Sequence, residues 1–176
     1  MNWLQAVSWL AAGVGVLIAA LKYLTDSRLS REQQSRELRW KQAQAGKSLN
    51  DEMQGDPWAW PALEMLDYPG EEFEIAPGQR TKITHDDLRF ALDPTSKATN
   101  PKHIYIRKCF DTLFYFMAML EHNISSTLIL TEDVAFPLDY YIPILARFRE
   151  QVDAYVTNYG LTRTNAFLHH YPQWSH

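Results

Sequence analysis

Residues 100–124 read NPKHIYIRKCFDTLFYFMAMLEHNI, and the fold of this chain turns on them. Asn100-Pro101 is a helix-start signal, an N-cap side chain followed by proline at the first helical position. Ile106, Phe110, Leu113, Met117 and Leu120 then recur every third or fourth residue and form one apolar stripe. Cys109, Phe114 and Phe116 widen that stripe almost all round, which predicts a central, buried helix. Its uninterrupted apolar part, 112–120, is too short to cross a bilayer. Arg107 and Asp111, four apart, are expected to pair on the polar face that remains.

A buried helix needs partners on several sides, and the flanking sequence offers them. On the C-terminal side, Thr131-Glu132-Asp133 places acids where a helix dipole favours them. Pro137 and Pro143 punctuate a predicted helix running to Tyr159. Along it Leu138, Tyr141, Leu145, Phe148, Val152, Tyr155 and Tyr159 form a heptad seam, expected to dock on the central helix. Gly160 ends it, Thr162 is expected to cap a last short helix, and residues 172–176 read as a tail. On the N-terminal side, Asp56-Pro57 opens a short helix that stops at Pro69-Gly70. Phe73-Glu74-Ile75 and Thr81-Lys82-Ile83 flank Pro77-Gly78, the signature of a small hairpin. Thr84, three before Asp87, starts another helix, which closes at Asp93-Pro94.

The first part of the chain is of another kind. Trp3 to Leu24 reads WLQAVSWLAAGVGVLIAALKYL, with no acid and one base, Lys22. At about 1.5 Å per residue, roughly 20 such residues match the hydrocarbon thickness of a bilayer. The expectation is a single transmembrane helix, with residues 1–2 outside. MNWLQ lacks the basic residues of a signal peptide. Lys22, Arg28 and Arg31 make a basic flank, continued by Arg36, Arg39 and Lys41, which places that side in the cytosol. Ala11, Gly15 and Ala19 recur every fourth residue, a spacing that lets two membrane helices pack closely. Residues 25–55 continue as a helical stalk, with Arg28/Glu32 and Glu37/Lys41 as pairs four apart and Gly46 merely tolerated. Leu38, Ala45, Leu49 and Met53 form a thin stripe that is expected to bring its distal part onto the body. The expected fold is therefore mainly α: one N-terminal transmembrane helix continuing into a stalk, then a compact helical domain with a small β-hairpin over residues 56–171.

Composition narrows the function classes. With 46% hydrophobic and 13% aromatic residues this is a folding chain. A net charge of −4 argues against a broad basic surface for nucleic acid. Cys109, the single cysteine, excludes an intramolecular disulfide and sits in an apolar run, as a buried reduced thiol would. The sequence contains no glycine-rich phosphate loop, nucleophile elbow or paired CxxC motif. His169, His170 and His176 lack metal-ligand spacing, so neither a metal nor a cofactor is expected.

One stretch carries candidate chemistry. Arg163, five intervening residues and His169 resemble the Arg-spacer-His pattern of helical HEPN ribonucleases. That resemblance implies metal-independent RNA cleavage by Arg163 and His169. This chain departs from the pattern at Thr164, where the family carries a polar residue, often Asn; here Asn165 comes one position later. More widely, RELRWKQAQA, PALEMLDY, IRKCFDTLFYFMAMLE and DVAFPLDYY resemble a family of small bacterial membrane proteins with one N-terminal span and a helical cytosolic domain. That resemblance implies a layout and no activity. The layout is also similar to that of membrane-anchored, HEPN-like accessory proteins of RNA-targeting CRISPR defence. The expected function is a membrane-tethered, non-enzymatic helical interaction module in the inner membrane, with its C-terminal domain in the cytoplasm. Its expected partners are the lipid bilayer, further copies of itself and a cytosolic protein. The alternatives are a HEPN-like, even degenerate, ribonuclease and a pore-forming accessory protein of phage defence.

Overall fold

The computed structural model describes the backbone of residues 3–174 and the side chains of residues 21–172 and of Trp174. The chain is mainly helical, with one two-stranded antiparallel hairpin. Its elements are α1 (Trp3–Gly55), α2 (Ala59–Asp67), β1 (Glu72–Ala76), β2 (Gln79–Lys82), α3 (His85–Leu92), α4 (Pro101–Ser125), α5 (Ala135–Leu145), α6 (Arg149–Asn158) and α7 (Thr162–His169). Short 3-10 turns cover Thr131–Asp133, Ala146–Phe148 and Pro172–Trp174. The chain divides into two compact units, Met1–Lys41 and Gln42–His176.

The first unit is helical from Trp3, and every described side chain in it is exposed or, at Ser27 and Arg39, half-buried. Among the described residues no helix is long and apolar enough to cross a membrane. Of the expected span, residues 3–24, only Leu21, Lys22, Tyr23 and Leu24 have described side chains. Ala11, Gly15 and Ala19 lie outside that set.

The second unit is built around α4. Ile106, Cys109, Phe110, Leu113, Phe114, Phe116, Met117 and Leu120 are all buried, as their spacing predicts. Asn100 caps the helix, its side-chain oxygen accepting from the Lys102 amide at 2.9 Å. α2, α3 and α7 pack on it. The Arg107–Asp111 pair does not form as expected, because both side chains are recruited by other elements. Arg107 donates to the carbonyls of Ala91 (2.7 Å), Asp93 (2.9 Å) and Ser96 (3.0 Å), closing the end of α3 onto α4. Asp111 accepts from the Tyr155 hydroxyl at 2.7 Å, joining α6 to α4. Carbonyls left over at a helix end need donors, and a guanidinium supplies several at once.

Other expectations change on packing. The seam residues from Leu138 to Tyr155 are buried and Tyr159 is exposed. The helix that carries them is broken by the 3-10 turn Ala146–Phe148, which starts three residues after Pro143. Thr162 lies inside α7 and gives no side-chain cap; the N-cap position is Leu161. Residues 172–174 are not a loose tail. Trp174 is fully buried, and its indole N–H donates to Asp153 Oδ1 at 2.8 Å. At the other end of this unit the face of α1 that meets the body runs through Gln42, Gly46, Leu49, Asn50 and Met53, while Leu38 and Ala45 are exposed. Gly46 is required there: a Cβ on it would sit 2.7 Å from Cβ of Asp133. On either side Gln42 donates to Thr127 O and Asn50 to Phe136 O, each at 2.8 Å.

Candidate functional site

The Arg163/His169 motif lies on α7, a helix pinned to the core by Phe167 and Leu168. Thr164 is buried and its hydroxyl donates to Phe114 O at 2.8 Å. The position after the arginine is thus spent on packing against α4. Arg163 and His169 are both exposed. Six positions at about 100° each put them about 120° apart around the helix, so one chain does not present them on a common face. The His169 ring accordingly turns back to its own helix, Nδ1 donating to Asn165 O at 2.8 Å. His170 bonds Glu121 Oε2 at 2.7 Å through Nε2. Among the described residues no group of His, Cys, Asp and Glu side chains is arranged to hold a metal ion.

Titratable side chains gather instead where α3 meets α4. Asp87 closes a capping box with Thr84, the Thr84 amide donating to its Oδ2 at 2.9 Å. Its other oxygen faces Lys102 and, at 3.4 Å, His103 Nε2. Burial pushes the Asp87 carboxyl upward, but the hydrogen bonds from Lys102 and Thr84 outweigh it and hold the group at about 2. The capping box was readable from Thr84 and Asp87 alone, whereas the two bases arrive from α4. Every oxygen of this carboxylate is occupied, so the cluster acts as a clamp. Cys109 is buried, and that burial pushes its thiol up to about 12, which keeps it protonated and unreactive.

Two open clefts lie along the C-terminal half of α2. One, of about 460 Å³, is bounded by Asp67, Pro69, His85, Asp139, Tyr140 and Arg147. The Tyr140 hydroxyl donates to Asp67 Oδ1 at 2.7 Å, and that hydrogen bond raises the phenol's pKa. His85 Nε2 lies 3.3 Å from Leu66 O; a carbonyl only accepts, so Nε2 carries the proton. No serine, threonine or cysteine is among the residues that line this cleft.

The other cleft, of about 440 Å³, lies between α2 and the hairpin and is lined by Glu64, Tyr68, Glu71, Glu72, Phe73 and Glu74. Pro77-Gly78 makes the turn, with Gly78 at φ 74 and its amide donating to Glu74 Oε1 at 2.8 Å. Glu64 is held from its own helix by the Trp60 indole N–H at 3.0 Å. Glu71 and Glu72 are exposed. The sequence marked the hairpin but not this groove, since its two walls are separate elements. No protein family, curated protein or solved structure matches the chain.

Proposed function

We propose that this chain is a membrane-tethered, non-enzymatic helical interaction module that self-associates, with its helical domain in the cytoplasm. This is the layout of the small bacterial single-span membrane proteins that its sequence resembles. The observation that carries the reading is the described end of the apolar run, where Leu21, Tyr23 and Leu24 are 63%, 74% and 55% exposed. Apolar surface gains about 25 cal/mol per Å² on leaving water, and these side chains continue a run whose sequence has the length of a bilayer span. Polar groups at this point satisfy themselves within the helix. Thr25 Oγ1 donates to Leu21 O at 2.8 Å and Ser27 Oγ to Leu24 O at 2.9 Å, bonds that a helix makes in water and in lipid alike. Lys22, Arg28 and Arg31 then stand at headgroup level, where cations meet anionic lipid.

The test is fractionation and topology. The protein should stay in membranes through a carbonate wash, and a reporter active only in the periplasm should be silent when fused to His176. Release by the wash would overturn the tether, and an active reporter would overturn the cytoplasmic placement of the helical domain. Gly15→Ile should weaken crosslinked oligomers in membranes, because contact between spans depends on a small residue at the crossing. Crosslinking equal to the parent would remove the span as the site of self-association. The ribonuclease alternative demands metal-free RNA cleavage that is lost in both Arg163→Ala and His169→Ala; the module predicts no cleavage by the parent.

A further inference from the structure

We propose that the groove between α2 and β1 docks a basic, extended peptide segment of a partner protein, which adds as a strand to the free edge of β1. The proposal deepens the reading of the chain as an interaction module and rests on it.

Three features of the groove point the same way. Glu71, Glu72, Phe73 and Glu74 all line it, although consecutive side chains on a strand alternate between faces. A groove that touches all of them runs along the edge of the strand and not over one face. Among the described residues no third strand pairs with that edge, the sheet being β1 and β2. Amides and carbonyls along a strand edge are the template for strand addition, and on this edge the Glu72 carbonyl accepts from the Arg80 guanidinium at 3.0 Å, a contact that an entering strand would replace. The groove also has an apolar side: Phe73 is buried at its base and the Tyr68 ring is more than half exposed beside it.

The charge selects the occupant. Four glutamates rim the groove and no base lines it. Long-range charge agrees: residues 1–41 hold six bases and three acids, while residues 42–176 hold eleven bases and eighteen acids. The domain alone thus carries −7, which repels acidic segments and steers basic ones. An extended segment alternating Lys or Arg with aliphatic residues would set its cations against the glutamates and the Tyr68 ring, and its apolar side chains toward Phe73.

The probe is a labelled octapeptide of alternating lysine and valine, titrated by fluorescence anisotropy against the full chain in detergent micelles. Saturable binding is expected, weakened by salt, together with slowed hydrogen exchange at the β1 amides. Glu71→Lys combined with Glu72→Lys, both exposed and away from the core, should weaken binding about tenfold while leaving the melting temperature unchanged. Equal binding by that variant would overturn the site. Equal binding by a peptide N-methylated at every residue would overturn strand addition, since that probe has lost the amide donors of both edges. Self-association displaced by the peptide would overturn a foreign partner in favour of a second copy of this chain. None of these outcomes bears on carbonate extraction, so failure of the groove and failure of the tether remain distinguishable.

Discussion

Residues 21–41 and residues 42–174 use the same apolar side chains to opposite ends. Leu38 and Trp40 lie on a helix at 63% and 64% exposure, whereas Leu63 and Trp174 are at 0%. Helix formation is common to both regions, so the difference is one of available partners. In the body each apolar stripe finds another: α4 is covered by α2, α3 and α7, and polar leftovers are closed by Arg107, Asp111 and Thr164. In the arm Leu21, Leu24, Leu29, Leu38 and Trp40 are all exposed. A helix of that kind draws its stability from local terms worth tenths of a kcal/mol each, and its apolar side chains become contacts only when something else arrives.

The contrast can be broken most severely at Trp174. Trp174→Ala removes the largest fully buried side chain and the donor to Asp153, and should cost about 3–5 kcal/mol in urea or thermal unfolding. A loss below about 1 kcal/mol would show that the C-terminal residues are not part of the core.

A smaller effect is expected from acid. The Asp87 carboxyl titrates at about 2 in the folded chain against an ordinary 3.8. A depressed carboxyl stabilises the fold above its unfolded pKa, and that contribution drains away as pH falls from about 4 through about 2. Asp87→Asn should therefore be less stable than the parent at neutral pH and should approach it in that window. Parallel melting curves across the range would contradict the clamp.

The smallest effect belongs to the arm. Leu38→Gln and Trp40→Gln should each change the stability of the domain by less than about 0.5 kcal/mol, because neither side chain is buried. A larger loss in detergent would mean that these residues are covered in the assembled protein, and would sharpen where copies meet.

Legibility from sequence followed the range of the interactions. The stripe of α4, the Asn100-Pro101 start, the Thr84/Asp87 box and the Pro77-Gly78 turn were readable because each is a pattern within a few residues. The candidate groove was half readable: its strand was marked, but Glu64 reaches it from α2 and Tyr68 from the residue that ends that helix, and no local pattern ties them to Glu72. Trp174 was misjudged for the same reason, since a terminal aromatic becomes core only through a contact 21 positions back, at Asp153.

By itself, then, the sequence determined most of the helices and the hairpin, which faces are apolar, and that the first 55 residues read differently in character from the rest. These follow from periodicity, caps and turn residues, which act over a few bonds. Only the tertiary structure decided that Arg107 and Asp111 serve different neighbours, that Gly46 is needed against Asp133, and that Arg163 and His169 stand apart while four glutamates converge. Those outcomes depend on which elements come side by side, and that is settled by the burial of whole faces summed over the domain, not by any single stretch.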